Sequence, residues 1–154
     1  VGAWSFEGEG GAGEGEGGAG EGQPAQKFTG TETVRGMGGL WVVAEGEGAM
    51  PDGGTMTSLM TLGYDPQQGA YVGTFVASMM THLWVYRGAV DDDGRRLVLC
   101  TEGPDMENGG KGMTAFEDSI AIEDPDHRTL TSRMRGADGQ WRQVFKARYT
   151  RLPG

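Results

Sequence analysis

The sequence has few of the residues that most often carry covalent or metal chemistry. It contains one cysteine, Cys100, and two histidines, His82 and His127. One cysteine excludes an internal disulfide, and two separated histidines without a cysteine partner disfavour a zinc site. A haem barrel would need a histidine that faces the lumen, whereas His82 falls in a predicted loop. The sequence therefore predicts no cofactor and no metal, and it leaves the compartment open, with the cytoplasm favoured.

Positive charge and long apolar runs are also scarce. The 154 residues include 13 Lys and Arg against 22 Asp and Glu, a formal net charge of −9. An acidic chain without a basic stripe disfavours nucleic acid and an anionic membrane surface. No apolar run approaches the roughly 18 residues that a transmembrane helix needs, and no catalytic-triad spacing occurs. We expect neither a nucleic-acid nor a membrane partner, and a homodimer stays open.

Glycine, in contrast, is abundant, and part of the excess lies in one repeat. The chain has 30 glycines, and the string EGEGGAG at residues 7–13 is repeated at residues 14–20. This stretch holds nothing more apolar than alanine, so it cannot bury enough surface to offset the entropy of ordering. We expect one domain over residues 1–154, with a flexible Gly/Glu-rich loop at 8–24.

The rest of the chain consists of short apolar–polar runs between turn signals such as DPQQG, DDDG and GADG. Such runs at this spacing favour an all-β fold, a single closed antiparallel up-and-down β-barrel of about ten strands. The predicted strands cover residues 1–7, 26–35, 39–47, 55–64, 70–78, 83–91, 95–102, 112–123, 128–135 and 140–150.

Pairing across the middle hairpins predicts which side chains face the lumen, because paired residues share a face. We expect Tyr64 opposite Tyr71, Ala77 opposite Trp84, and Trp84 opposite Glu102. A slip of one residue in any loop would invert part of this assignment. The predicted interior comprises Met56, Met60, Leu62, Tyr64, Tyr71, Phe75, Ala77, Trp84, Tyr86, Cys100 and Glu102, joined by Leu130, Met134, Trp141, Gln143, Phe145 and Tyr149 from the last hairpin.

Two sets of residues resemble known families. The start Val1-Gly2-Ala3-Trp4 resembles the Gly-x-Trp opening of lipocalin-type barrels, in which a basic residue of the last strand packs across the Trp ring. The strings GGLWVVAEGEG, LGYDPQQGAYVG, SMMTHLWVYRG, LCTEGP and DHRTLTSRMRGADGQW resemble the bacterial domain-of-unknown-function family 1579. This resemblance implies a calycin-like barrel and no established activity.

One carboxylate stands out among the predicted interior residues. A ten-stranded barrel is wider than the roughly eight strands whose interior side chains just fill it, so a cavity is expected. Glu102 would lie there among aromatic rings, which disfavour its charged form and raise its pKa. It could orient a hydroxyl or amine group, or act as a general acid or base. Between Glu117 and Asp118 the register is ambiguous, and one of the two must point inward.

Two functions remain open for such a cavity, and a filled, purely structural barrel is a third possibility. The first is binding of a small hydrophobic or aromatic molecule. The second is a cofactor-free enzyme of the isomerase, cyclase or lyase type, in which Glu102 acts with Tyr86 or His82 as acid and base. The predicted ligand-binding residues are Met56, Met60, Tyr71, Phe75, Trp84, Tyr86, Glu102, Met134, Trp141 and Phe145.

Overall fold

The computed structural model describes residues 1–10 and 26–154 and shows a closed antiparallel barrel of ten strands. Each strand pairs with its sequence neighbour, and β1 also pairs with β10, which closes the barrel. The all-β up-and-down fold predicted from the sequence is confirmed. The strands are β1 (Gly2–Gly10), β2 (Gln26–Met37), β3 (Trp41–Ala49), β4 (Thr55–Asp65), β5 (Ala70–Ala77), β6 (Trp84–Val90), β7 (Arg96–Pro104), β8 (Met113–Asp124), β9 (His127–Arg135) and β10 (Trp141–Arg151).

The predicted turn chemistry is present where the strands reverse. After β4, the Asp65 carboxylate accepts a hydrogen bond from the Gln67 amide at 2.9 Å. Gly69 then takes φ +62° and donates its amide to the Asp65 carbonyl at 2.8 Å, a conformation that favours glycine. The described part of the chain adds one 3₁₀ turn, Met106–Asn108, after β7. It includes no helix long and apolar enough to cross a membrane.

The β4–β5 register agrees with the prediction, but the next two hairpins are displaced. Met60 lies opposite Phe75, as expected. Trp84 lies opposite Phe75 rather than Ala77, a shift of two residues that leaves its face unchanged. In β6–β7 the shift is one residue, because Asp91 bonds to Arg96 and the turn between them holds one residue more than expected. Cys100 lies opposite Arg87.

This one-residue shift makes the predicted interior positions of Cys100 and Glu102 wrong. Side chains alternate between the two faces of a strand, so an odd displacement moves every side chain of β7 to the other face. Both residues are exposed. Leu99 takes the interior position instead and is fully buried.

A β-bulge overturns a second part of the predicted interior. The β9–β10 register shifts between Gln143 and Phe145, so Val144 is an extra residue. Phe145 and Tyr149, beyond the bulge, face inward as expected. Before it, Trp141 lies opposite Arg135 and Gln143 opposite Arg133, on the outer face. The predicted inward positions of Trp141 and Gln143 are wrong because a bulge exchanges the faces of a strand.

The first strand is longer than the sequence predicts. Gly8, Glu9 and Gly10 continue β1 and pair with β10, although they were expected to belong to the flexible loop. Gly8 and Gly10 face the interior beneath the Phe145 ring, and a Cβ added at Gly8 would lie 2.9 Å from that ring. Residues 11–24, the rest of the predicted loop, lie outside the described residues.

Trp4 occupies the point where the barrel closes. It is 5% exposed and packs in a cluster with Phe6, Ala147 and Tyr149. The guanidinium carbon of Arg151, its partner on β10, lies 4.3 Å from the Trp4 ring centroid. The expected cation–π contact from the last strand is therefore present. The same arginine donates a hydrogen bond to the Val1 carbonyl at 2.8 Å, which ties the two ends of the barrel sequence together.

Trp4→Ala should lower the free energy of unfolding by about 3–5 kcal/mol, the range for truncating a buried aromatic residue. The matched control is Val85→Ala, at an outward-facing position that is 59% exposed, where we expect a change within about 0.5 kcal/mol. Urea unfolding at one pH measures both. A loss for Trp4→Ala as small as that of the control would contradict its role in closing the barrel.

Candidate functional site

Residues 1–10 and 26–154 enclose a cavity toward each end of the barrel. The loop-end cavity, of about 320 Å³, reaches Met79 and Met80 between β5 and β6 and Met106 after β7. The terminus-end cavity, of about 340 Å³, reaches Val1 and Arg151. The side chains that the structure describes therefore leave space inside the barrel, which a ligand-binding function requires.

The loop-end cavity has mostly apolar and aromatic walls. Several predicted ligand-binding residues line it, namely Met56, Met60, Phe75, Trp84, Tyr86 and Phe145. Phe116 and Ile120 of β8 and Leu130 of β9 add further apolar surface. Such a lining, with few polar groups, is typical of sites that bind small organic molecules.

The other predicted ligand-binding residues lie elsewhere. Tyr71 packs edge-on against Tyr64, with ring centroids 5.1 Å apart, and Met134 is buried; neither lines the cavity. Trp141 is on the outer face, where the Arg133 guanidinium carbon lies 4.8 Å from its ring centroid. Glu102 is also on the outer face. These corrections follow from the bulge in β10 and the longer β6–β7 turn.

His82 does not reach the cavity either. It lies in the connection between β5 and β6, where its Nε2 is 2.8 Å from the Glu102 carbonyl oxygen. Its ring packs at a right angle to Trp84, with centroids 4.7 Å apart. His82 and Glu102 are therefore adjacent but do not line the cavity, and the His82 ring packs against Trp84. The prediction that they act together inside the cavity is wrong.

Asp118 of β8 contributes a carboxylate to the loop-end cavity. Its Oδ2 accepts a hydrogen bond of 2.5 Å from the hydroxyl of Tyr86, which is 2% exposed. The preceding residue, Glu117, points outward and accepts a hydrogen bond from Arg133 Nε at 2.8 Å. The ambiguity between Glu117 and Asp118 is thus resolved in favour of Asp118. The alternation of Phe116, Asp118 and Ile120 along β8 is the sequence signal that could have identified it.

Burial determines the electrostatics of this pair. The apolar surroundings raise the pKa of the Asp118 carboxyl above its ordinary value of 3.8, and the nearby Ser132 and Tyr86 hydroxyls oppose this rise. Burial and the adjacent Asp118 carboxylate also raise the pKa of Tyr86. Tyr86 therefore stays protonated, and its hydroxyl donates a hydrogen bond to the Asp118 carboxylate, which accepts it.

Asp118 also has an oxygen without a partner. Oδ1 is buried and accepts no hydrogen bond from the protein groups that the structure describes. The indole Nε1 of Trp84 and the Oγ1 of Thr101 are also buried and have no hydrogen-bond partner among the described protein groups. A buried polar atom left unpaired costs about 1–3 kcal/mol. Unsatisfied polar atoms of two cavity-lining residues, Asp118 and Trp84, indicate a place where a bound molecule could complete the hydrogen bonding.

Glycines in the wall leave room for the aromatic rings. The Trp84 ring lies where a Cβ at Gly103 would otherwise be, and it packs edge-on against Phe116 at 4.9 Å. The Phe6 ring similarly covers Gly30 and Gly48. The rings therefore lie along the wall instead of projecting to the centre of the lumen, which leaves the cavity open.

A partly buried ion pair lies between the two cavities. Glu32 of β2 and Arg128 of β9 bind each other, and both residues line both cavities. Their side chains are 12% and 15% exposed. The Arg128 guanidinium carbon also lies 4.0 Å from the Tyr149 ring centroid and 4.8 Å from that of Trp4. This pair is not predicted from the sequence, although Glu32 shares the inward phase of Phe28 and Val34 along β2.

Within residues 1–10 and 26–154, no group of three or more His, Cys, Asp or Glu side chains is arranged to hold a metal ion. Among these described residues, the side chains with polar groups that line the loop-end cavity include the Tyr86–Asp118 pair, the Glu32–Arg128 pair, Trp84, Ser58 and Ser132. This arrangement suits hydrogen bonding to a small molecule.

Comparison with known proteins agrees with this architecture. The model of a family described as a protein of unknown function, DUF1579, matches residues 1–151. The chain belongs to the DUF1579 family. Comparison of this DUF1579 chain with curated proteins finds no match.

Three solved structures are similar to this DUF1579 chain in fold. Rv2717c from M. tuberculosis has a TM-score of 0.63 at 15% identity, covering 99% of this chain and 92% of the other. EF1p2_mFAP2b bound to DFHBI has a TM-score of 0.50 at 9% identity, covering 98% and 92%. A de novo designed fluorescence-activating β-barrel has a TM-score of 0.49 at 14% identity, covering 98% and 92%. At these identities the likeness concerns the fold alone.

The Asp118 carboxyl should make stability depend on pH. Its pKa is higher in the folded chain than its ordinary value of 3.8. The stability contributed by its protonated form is therefore present below that value and lost as pH rises through the folded pKa. Asp118→Asn removes this loss, so the unfolding free energy of the variant relative to wild type should increase between about pH 4 and about pH 7.

Urea unfolding followed by tryptophan fluorescence at several pH values measures this difference. Glu102→Gln is the matched control, because Glu102 is an exposed carboxylate on the outer face. A difference between wild type and Asp118→Asn that stays constant over this pH range would contradict the burial of the Asp118 carboxyl.

Proposed function

We propose that the protein binds a small, mostly apolar, aromatic molecule in the loop-end cavity. One observation carries this proposal: an apolar cavity of about 320 Å³ contains a single Tyr–Asp hydrogen-bonded pair on its wall. Apolar walls favour a ligand with little polar surface, since burial of apolar area contributes about 25 cal/mol per Å². The Tyr86–Asp118 pair offers one polar point by which such a ligand could be oriented.

Aromatic rings and methionines make the walls suitable for a flat ligand. Trp84 and Phe116 present ring surface, and aromatic pairs add about 0.5–1.5 kcal/mol beyond the area that they bury. Met79 and Met106, 50% and 40% exposed, border the same cavity. Because methionine is unbranched and flexible, these side chains can adapt to the shape of a ligand as it enters.

The structural neighbours are compatible with this proposal without carrying it. EF1p2_mFAP2b, which shares the barrel fold, is bound to DFHBI in its structure. At 9% identity, the residues of that protein that contact its ligand cannot be matched to residues of the present cavity. The walls of the loop-end cavity and its Tyr86–Asp118 pair support the proposed binding instead.

Filling the cavity should prevent binding. Ser58 lines the loop-end cavity and does not line the terminus-end cavity, so Ser58→Phe places a ring inside the loop-end cavity. We expect this variant to abolish binding of N-phenyl-1-naphthylamine, a neutral fluorescent probe, in a fluorescence titration. Thr57→Phe is the control, because it adds the same ring at the adjacent exposed position on the outer face.

Thr57→Phe should bind the probe as wild type does, and circular dichroism should show both variants to be folded. Unchanged binding by a folded Ser58→Phe variant, or no binding by wild type, would contradict the proposed site.

A second candidate function is a cofactor-free enzyme that acts on a similar small molecule. The observation that favours it is the 2.5 Å contact between Tyr86 and Asp118, because acid–base catalysis needs two polar groups that converge inside a cavity. This version replaces the acid–base pair expected from the sequence. Glu102 and His82 no longer belong to it, since both lie outside the lumen.

Proton exchange tests this second candidate. The wild-type protein should accelerate exchange of the α-protons of 2-tetralone with solvent deuterium, followed by NMR. Asp118→Asn should lower the rate by about 100- to 10,000-fold, the usual contribution of a general acid or base. Equal rates for wild type, Asp118→Asn and buffer alone would exclude this activity and leave the binding function as the proposal.

A further inference from the structure

We propose that the molecule bound in the loop-end cavity presents one hydrogen-bond donor, a hydroxyl or amine N–H, to Oδ1 of Asp118. This inference depends on the proposed binding function and narrows it to a class of ligand. The class is an apolar aromatic molecule with a single donor group, as in a phenol or an aromatic amine.

Most of the charged and phenolic groups around the loop-end cavity already have a partner. Glu32 and Arg128 bind each other, so their charges are mutually compensated. The Tyr86 hydroxyl already donates to Asp118 Oδ2. Ser132, opposite Asp118 on β9, lies close enough to lower the pKa of the carboxyl. Even so, Oδ1 is buried and has no hydrogen-bond partner among the protein groups described. A ligand that reaches Asp118 therefore meets one free oxygen.

The second step is the direction of the missing hydrogen bond. The distance of 2.5 Å between Tyr86 Oη and Asp118 Oδ2 falls within the range of about 2.5–2.7 Å typical of O–H···O⁻ bonds. This geometry favours a carboxylate that accepts from Tyr86. An ionised carboxylate only accepts hydrogen bonds. Its second oxygen therefore needs a donor, and a ligand that offers only an acceptor leaves it unpaired.

The third step is the position of this oxygen relative to the apolar walls. Asp118 is flanked on β8 by Phe116 and Ile120, which share its inward face. Leu130, opposite Ile120 on β9, also lines the cavity. A ligand donor at Asp118 would therefore be attached to an otherwise apolar body. Away from the mutually paired Glu32 and Arg128, a second charged group on the ligand would meet apolar surface and incur a desolvation cost.

A matched pair of probes tests the direction of this hydrogen bond. 2-Naphthol and 2-methoxynaphthalene share the ring and the oxygen, but only 2-naphthol can donate. Wild-type protein should bind 2-naphthol about 10- to 100-fold more tightly, which is the effect of a hydrogen bond to a charged group. Isothermal titration calorimetry of both probes measures this ratio.

Three variants connect the ratio to Asp118. Asp118→Leu removes both carboxylate oxygens. The ratio of its affinities for 2-naphthol and 2-methoxynaphthalene should therefore fall to about that of an apolar cavity without a hydrogen-bond acceptor. Tyr86→Phe keeps the Asp118 carboxylate and should retain the tighter binding of 2-naphthol. This variant tests whether the carboxylate accepts the ligand's hydrogen bond without its phenol partner. Glu102→Gln, which removes a carboxylate from the outer face, should leave the ratio unchanged. Circular dichroism should confirm that all three variants are folded.

The outcomes separate this inference from the proposed function. If wild type binds both probes with equal affinity, or prefers 2-methoxynaphthalene, the donor inference is wrong while the cavity remains a binding site. If Asp118→Leu keeps the full preference, the inference is also wrong, because another group must accept the hydrogen bond. If neither probe nor N-phenyl-1-naphthylamine binds to wild type, the proposed function and the inference both fail.

Discussion

The rest of the structure depends on the pairing of β1 with β10, because without it the sheet has two open edges and no interior. Trp4 holds this junction, with the guanidinium groups of Arg151 and Arg128 near its ring. Arg128 also binds Glu32 across the lumen and packs on Tyr149. The contact that closes the barrel is thus linked to the ion pair that lies between its two cavities. Arg128 therefore contributes both to the closure of the barrel and to the ion pair inside it.

The functional character of the lumen follows from the alternation of side chains along β8. Glu117 and Asp118 are consecutive carboxylates with opposite environments. The first is paired with Arg133 outside the barrel, and the second is placed among apolar side chains with Tyr86. Only the second can influence what the cavity holds. A mostly apolar cavity with a few fixed polar groups can still orient a ligand.

The sequence predicts the strands and the general nature of the lumen better than it predicts particular site residues. Met60, Phe75 and Tyr86 were assigned correctly because the turn after β4 has a defined chemistry and because errors of two residues preserve the face. Glu102 was misassigned through one additional turn residue, and Trp141 through a bulge that no local pattern reveals. The Glu32–Arg128 pair joins residues far apart in the chain, so it requires knowledge of how the barrel closes.

Substitution of the glycines behind the aromatic rings can change the size of the cavity without changing the residues that line it. A methyl group at Gly103 would occupy the space of the Trp84 ring and would push that ring toward the centre of the lumen. The accessible volume would shrink although every residue in contact with the ligand stayed the same. Homologues with identical contact residues can therefore accept molecules of different size. Comparison of pocket residues alone would overlook this, since the variation lies behind the wall.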